Sequence, residues 1–138
     1  MNGLSDEELL IDEKYKEIRD KIVFYNYVQE ALANGEAVPT KDQCRKSDSA
    51  FFEVIETLRP ELIIALGVSH MYYRDMPDER FEIAPPLFVD GKRILHGFYT
   101  LTDGSKILTI WIYHPSARMS FDYRFWNKVI RTAVEKYS

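Results

Sequence analysis

Leu62-Ile63-Ile64-Ala65-Leu66-Gly67 is an unbroken apolar run closed by a glycine. A strand without polar alternation is buried on both faces, the pattern of parallel sheets covered by helices. Arg59-Pro60, just before it, stops a helix, because the residue preceding a proline is driven out of the helical region. That helix opens at Thr40, which forms a capping box with Gln43. Cys44, Ser47, Phe51, Ile55 and Leu58 recur along it at spacings of three and four and predict one buried face. A helix running straight into a doubly buried strand is half of a βαβ unit. The reading is an α/β fold: a three-layer-like sheet with mostly parallel central strands flanked by helices, plus an antiparallel hairpin insertion.

Outward from this core, Asp90-Gly91 and Asp103-Gly104 are hairpin-type turns. They predict three strands over Leu87 to Val89, Arg93 to Thr100 and Lys106 to Tyr113, the last almost wholly apolar and central. A final helix over about 121 to 137 carries Phe121, Phe125, Val129 and Val134 inward. Towards the N-terminus, Ser5 and Glu8 form another capping box and predict a helix from about 6 to 19. Ile22-Val23-Phe24-Tyr25 reads as a strand ending in the polar pair Asn26 and Gln29. Residues 33 to 39 form a loop. No repeat or linker divides residues 1 to 138, which read as a single domain.

With 138 residues, 46% of them hydrophobic, the chain can bury a substantial core. It shows no signal-peptide pattern, and no apolar run approaches the roughly 18 residues that would suggest a membrane span. The one cysteine, Cys44, cannot form an internal disulfide and reads as core. A soluble, cytoplasmic protein is expected. The net charge of −4 argues against unselective coating of nucleic acid. It is unevenly spread, with net −8 over residues 1 to 86 and net +4 over 87 to 138, so any phosphate-facing surface belongs to the C-terminal third.

Open α/β sheets bind ligands beyond the carboxyl ends of their strands, which singles out Asn26, Gly67 to His70, and His114. Tyr113-His114-Pro115-Ser116-Ala117-Arg118-Met119-Ser120 places an imidazole, a rigid turn, two hydroxyls and a cation directly after a buried strand. A buried strand running into His-Pro-Ser and a C-terminal helix resembles the second signature motif of uracil-DNA glycosylases. Phe24-Tyr25-Asn26-Tyr27-Val28-Gln29 is similar to the strand end whose Asn reads the flipped base in that family. Pro60 to Gly67 resembles the family's middle strand and its following glycine. The three segments come in the family's order over roughly residues 20 to 137.

The resemblance implies a base pocket, and the chemistry of the residues agrees with it. A carboxamide offers a donor and an acceptor on one plane, so Asn26 can pair with N3–H and O4 of uracil and mismatch cytosine. His114 can donate a hydrogen bond to O2 as negative charge moves onto the departing base. Ser116 and Ser120 can bind phosphates. Arg118 and Met119 can fill the space left by the flipped nucleotide, and Tyr25 or Tyr27 can stack on the base. The implied partner is DNA containing uracil or another damaged base, with no cofactor and no metal.

The sequence departs from the family at its start. Nothing in Met1 to Lys21 resembles the first motif, a Gly-rich turn with the residue that orients the attacking water, or the strand that carries it. A hairpin strand from 87 to 100, or a second copy of the chain in a homodimer, is the candidate to take that strand's place. An inactive family member, or a fragment of a longer protein acting as a nucleic-acid or protein binding module, is the alternative. Plainer readings also stand: Asn26 as a turn former, His70 with Tyr72 and Tyr73 as packing residues, His96 as a solvated strand residue, and Asp75, Asp78, Glu79 and Glu82 as a solvated loop rather than a metal site. Walker, dinucleotide-binding, serine-hydrolase and zinc-protease motifs are absent.

Overall fold

The computed structural model describes residues 6–34, 39–67, 76–115 and 121–138. Its elements are α1 (Asp6–Arg19), α2 (Lys41–Leu58), β1 (Leu62–Leu66), β2 (Phe81–Ile83), β3 (Leu87–Val89), β4 (Lys92–Ile94), β5 (His96–Thr100), β6 (Lys106–Ile112) and α3 (Tyr123–Tyr137). The capping box of α2 is formed: Gln43 N–H donates to Thr40 Oγ1 at 3.2 Å, and Thr40 N–H donates to Gln43 Oε1 at 2.9 Å. The helix ends on Arg59, whose left-handed φ of 47° lets its N–H reach the Ile55 carbonyl at 2.9 Å and turns the chain at Pro60 into β1.

The main sheet has the order β1-β6-β5-β2, and β3 pairs with β4 in a separate two-stranded ribbon. Among the described residues only β1 and β6 are parallel, with Leu62, Ile64 and Leu66 opposite Leu108, Ile110 and Ile112. The β5–β6 and β2–β5 pairs are antiparallel. The expectation of mostly parallel central strands is therefore corrected to a mixed sheet. The reason is local: the turn at Asp103-Gly104 joins β5 to β6, and a connection that short can only fold a strand back on its neighbour.

Period-two alternation along β6 builds the layers. Leu108, Ile110 and Ile112 face Val129 and Ala133 of α3 and Leu87, Val89 and Ile94 of the ribbon. Ile107, on the other face, lies in a second cluster with Phe51 and Ile55 of α2. Helices thus cover both faces of the sheet, and β6 is buried beyond its first residue. Each such large apolar side chain contributes about 1.5–3 kcal/mol by leaving water.

Several readings change. β1 is not buried on both faces as expected: it lies at the edge of the sheet, and Ile64 and Leu66 are exposed. Ile22 to Tyr25 is not a strand; Phe24 is 88% exposed, and only Tyr25 turns inward. β-branched and aromatic residues make a strand only where a partner strand accepts the ladder, and among the described residues none does so here. The predicted strand from Arg93 to Thr100 breaks at Leu95, where the chain passes from the ribbon into the main sheet and the Leu95 carbonyl accepts from Trp111 N–H at 3.1 Å. Part of the expected solvated loop, Phe81–Ile83, is the edge strand β2. His96 is 2% exposed rather than solvated, with Nδ1 3.1 Å from the Ile94 carbonyl and Nε2 2.9 Å from the Tyr137 hydroxyl. Ala133, not Val134, faces inward from α3, and Leu58 is exposed at the end of α2. Cys44 is buried as expected. The Ser5 cap, His70, Tyr72, Tyr73 and Asp75 lie outside the described residues. Among the described residues, no helix is long and apolar enough to cross a membrane.

Candidate nucleic-acid site

Parallel pairing of β1 and β6 brings their carboxyl ends together. Leu66 is opposite Ile112, and Gly67 N–H donates to the Ile112 carbonyl at 3.2 Å. Gly67 has a φ of +106°, a backbone that side-chain-bearing residues rarely adopt, and open space where a Cβ would be. Tyr113, His114 and Pro115 follow directly and are exposed. Tyr113 packs its ring edge-to-face on Trp126 of α3 at 5.3 Å, which fixes the direction in which the chain leaves the sheet. Ser116, Arg118, Met119 and Ser120 lie outside the described residues. The chain is described again where Asp122 caps α3, accepting from Arg124 N–H at 3.1 Å and Phe125 N–H at 3.0 Å.

Asn26 sits in an exposed bend, and its carbonyl accepts from the Gln29 side chain. The tyrosines on either side of it are held on α2. Tyr27 donates its hydroxyl to Asp48, with the Cys44 carbonyl 3.1 Å away, and sets its ring edge-to-face on Phe51 at 5.8 Å. Burial, and then the Asp48 carboxylate, push this phenol well above the ordinary tyrosine range. Tyr25 lies 6.5 Å from Phe51, and its buried hydroxyl has no hydrogen-bond partner. Beside it is a groove of about 300 Å³, with the Tyr25 ring, Val54 and Leu58 as apolar walls and Gln29, Glu53 and Thr57 as polar groups. Gln29 was legible only as one of a polar pair at a strand end; its place in a groove depends on the fold. The base-reading candidate thus rests on the α2 side of the sheet, and the His114 candidate leaves from the end of β6.

The most strongly shifted carboxylates lie at the opposite end of β6. Asp103 accepts from the Ser105 hydroxyl at 2.6 Å and Ser105 N–H at 2.9 Å and pairs with Arg59; these contacts, Ser105 first, hold it far below the usual carboxylate range. Glu56 is lowered by Arg80 and by Thr102, whose N–H donates to it at 2.8 Å. Perturbed carboxylates often mark functional sites, but these tie α2 to the turns bounding β5 and are structural. Among the described residues no group of His, Cys, Asp or Glu is placed to hold a metal ion.

No protein-family model, curated protein or solved structure matches the chain. The functional reading therefore rests on the residues and their geometry.

Proposed function

We propose that the chain is a uracil-DNA-glycosylase-like protein that receives a flipped uracil or other damaged base from DNA. The observation that carries this reading is the side-by-side exit of Gly67 and His114 from the parallel pair β1 and β6, joined by the Gly67 to Ile112 hydrogen bond. Two of the three segments that resemble the family, far apart in sequence, leave the sheet together at the end where open α/β sheets bind ligands. The third, from Phe24 to Gln29, presents Asn26 to solvent.

In the proposed reaction the bond between the base and C1′ of the deoxyribose breaks with its electron pair leaving on the base. His114 donates a hydrogen bond to O2 and stabilises that charge, Asn26 selects uracil by its N3–H and O4, and water adds its oxygen to C1′ and gives up a proton, the departed base anion taking one up from solvent. The segment from Ser116 to Ser120, outside the described residues, is proposed to meet the backbone, and its Arg118 and Met119 to fill the vacated stack. Residues 1 to 21 contain no counterpart of the family's water-orienting motif, so turnover by residues 1 to 138 alone is expected to be slow.

The test is a cleavage assay on a uracil-containing oligonucleotide with the intact chain, His114→Ala and Asn26→Asp. Loss of one preorganised donor costs on the order of 100- to 1000-fold in rate, and both variants are expected to lose activity. Cleavage unaffected by both substitutions would remove the base pocket from this position, and no cleavage by the intact chain leaves the binding reading in its place.

That second reading, an interaction module with the same fold and without the chemistry, is favoured by one specific feature. β1 has no strand on its outer side among the described residues, and Ile64 and Leu66 are 40% and 45% exposed. A bare apolar edge of this kind invites another strand, and a second copy of the chain completing the sheet is the proposed occupant.

A further inference from the structure

We infer that the outer face of α3, extended by the tip of the β3–β4 ribbon, is a docking surface for the phosphodiester backbone of DNA, separate from the base pocket. Arg124, Lys128 and Arg131 follow at spacings of four and three, which puts them on one side of the helix. The opposite side carries the buried Val129 and Ala133. The ribbon abuts this face: Asp90 at its turn pairs with Lys128, and Lys92 places its ammonium 4.7 Å from the centre of the Phe125 ring. On the ribbon's outer surface Arg93 is paired across the strands with the exposed Phe88. A band of five cations thus runs from the ribbon onto the helix.

The acids nearby do not neutralise the band. Asp122 is committed to the backbone amides that open α3, Asp90 offsets Lys128 alone, and Glu135 bounds the band towards the C-terminus. Among the described residues Arg124 and Arg131 are in no ion pair. The five cations and the three acids beside them leave this region net +2, half of the net +4 of residues 87 to 138, against −8 for the rest of the chain. A fold that gathers five cations, one of them paired with Asp90, on one face of an acidic protein fits a polyanion of regular charge spacing. Tyr123, 71% exposed at the first turn of α3, and Phe88 add aromatic faces on which a base can stack, and that combination favours a nucleic acid over a lipid surface.

The base pocket can fail without this surface failing, because the surface acts on DNA of ordinary bases. Binding of the full chain to a labelled oligonucleotide without uracil, single-stranded and duplex, is followed by fluorescence anisotropy over a range of salt concentrations. Arg124→Gln with Arg131→Gln is expected to weaken binding and to flatten the salt slope for duplex by about two, each lost phosphate contact removing about 0.9. Arg124→Lys with Arg131→Lys keeps the charge and retains the slope. Lys41→Gln with Arg45→Gln, which removes the same charge from the exposed side of α2, leaves it unchanged. Absence of salt-dependent binding, an equal loss in the α2 variant, or capture by anionic phosphatidylserine vesicles in preference to DNA each overturns the proposal.

Discussion

Gly97 shows how much one missing side chain can decide. It pairs with Ile83 on one side and Thr109 on the other, and a Cβ at this position would overlap the ring of Phe81 and the carbonyl of Glu82. The space lets β2 close onto β5, which places the Phe81 ring 4.9 Å from Tyr99 and 5.1 Å from Trp111. Gly97→Ala is expected to destabilise the fold by about 3 kcal/mol, the upper range for overpacking a closed core, read from urea denaturation. A loss within experimental error would mean that β2 is free to move away. The same scale separates His96 from His114. His96 fills the core between the Ile94 carbonyl and the Tyr137 hydroxyl, whereas His114 stands exposed beyond β6. Both read as polar residues in or near strands, and neighbours distant in sequence make the difference.

At the scale of elements, the turn after β5 is tied to the end of α2. Asp103 is held low by Ser105 and by Arg59, the residue in the left-handed cap of that helix. A carboxylate whose pKa is depressed on folding contributes stability that is present above its unfolded value of about 3.9 and is lost as pH falls through the folded value. Thermal midpoints measured across pH should therefore fall on acidification in the natural chain. Asp103→Asn is expected to lower the midpoint at neutral pH and to give a flatter acid limb, with the two curves converging at low pH. Parallel curves would show that other carboxylates carry the acid sensitivity. The helices themselves were legible because their signals are local: Thr40 with Gln43 forms a box whatever the sheet does. Ile22 to Tyr25 failed as a strand because a strand needs a partner, and residue preference cannot supply one.

For the whole molecule the open side of β1 carries the sharpest consequence. If a second copy completes the sheet there, Ile64→Lys places a charge beside the edge and should suppress association. Sedimentation over a concentration series reads this directly: the natural chain is expected to show a concentration-dependent dimer and the variant a monomer. A natural chain that stays monomeric throughout rules out self-pairing at this edge. The uneven charge is also a property of the whole molecule, since the cations of α3 and the ribbon become one band only when Lys128 meets Asp90 and Lys92 meets Phe125.

The sequence by itself determined the helices from their periodicity, and α2 also from its cap, the positions of strands β1 and β6 from their unbroken apolar runs, the buried Cys44, and the hairpin turns at Asp90-Gly91 and Asp103-Gly104. These depend on interactions within a few residues or on how an apolar run leaves water. It also singled out His114 and Asn26 by residue type and place. Only the tertiary structure decided that the sheet is mixed, that the chain changes sheets at Leu95, that Tyr25 and Tyr27 lean on α2, and that Gly67 lies against the exit of His114. Each of these is a pairing between segments far apart in the chain, chosen by which partner best fills a shared space and satisfies the buried backbone, and no local pattern encodes that choice.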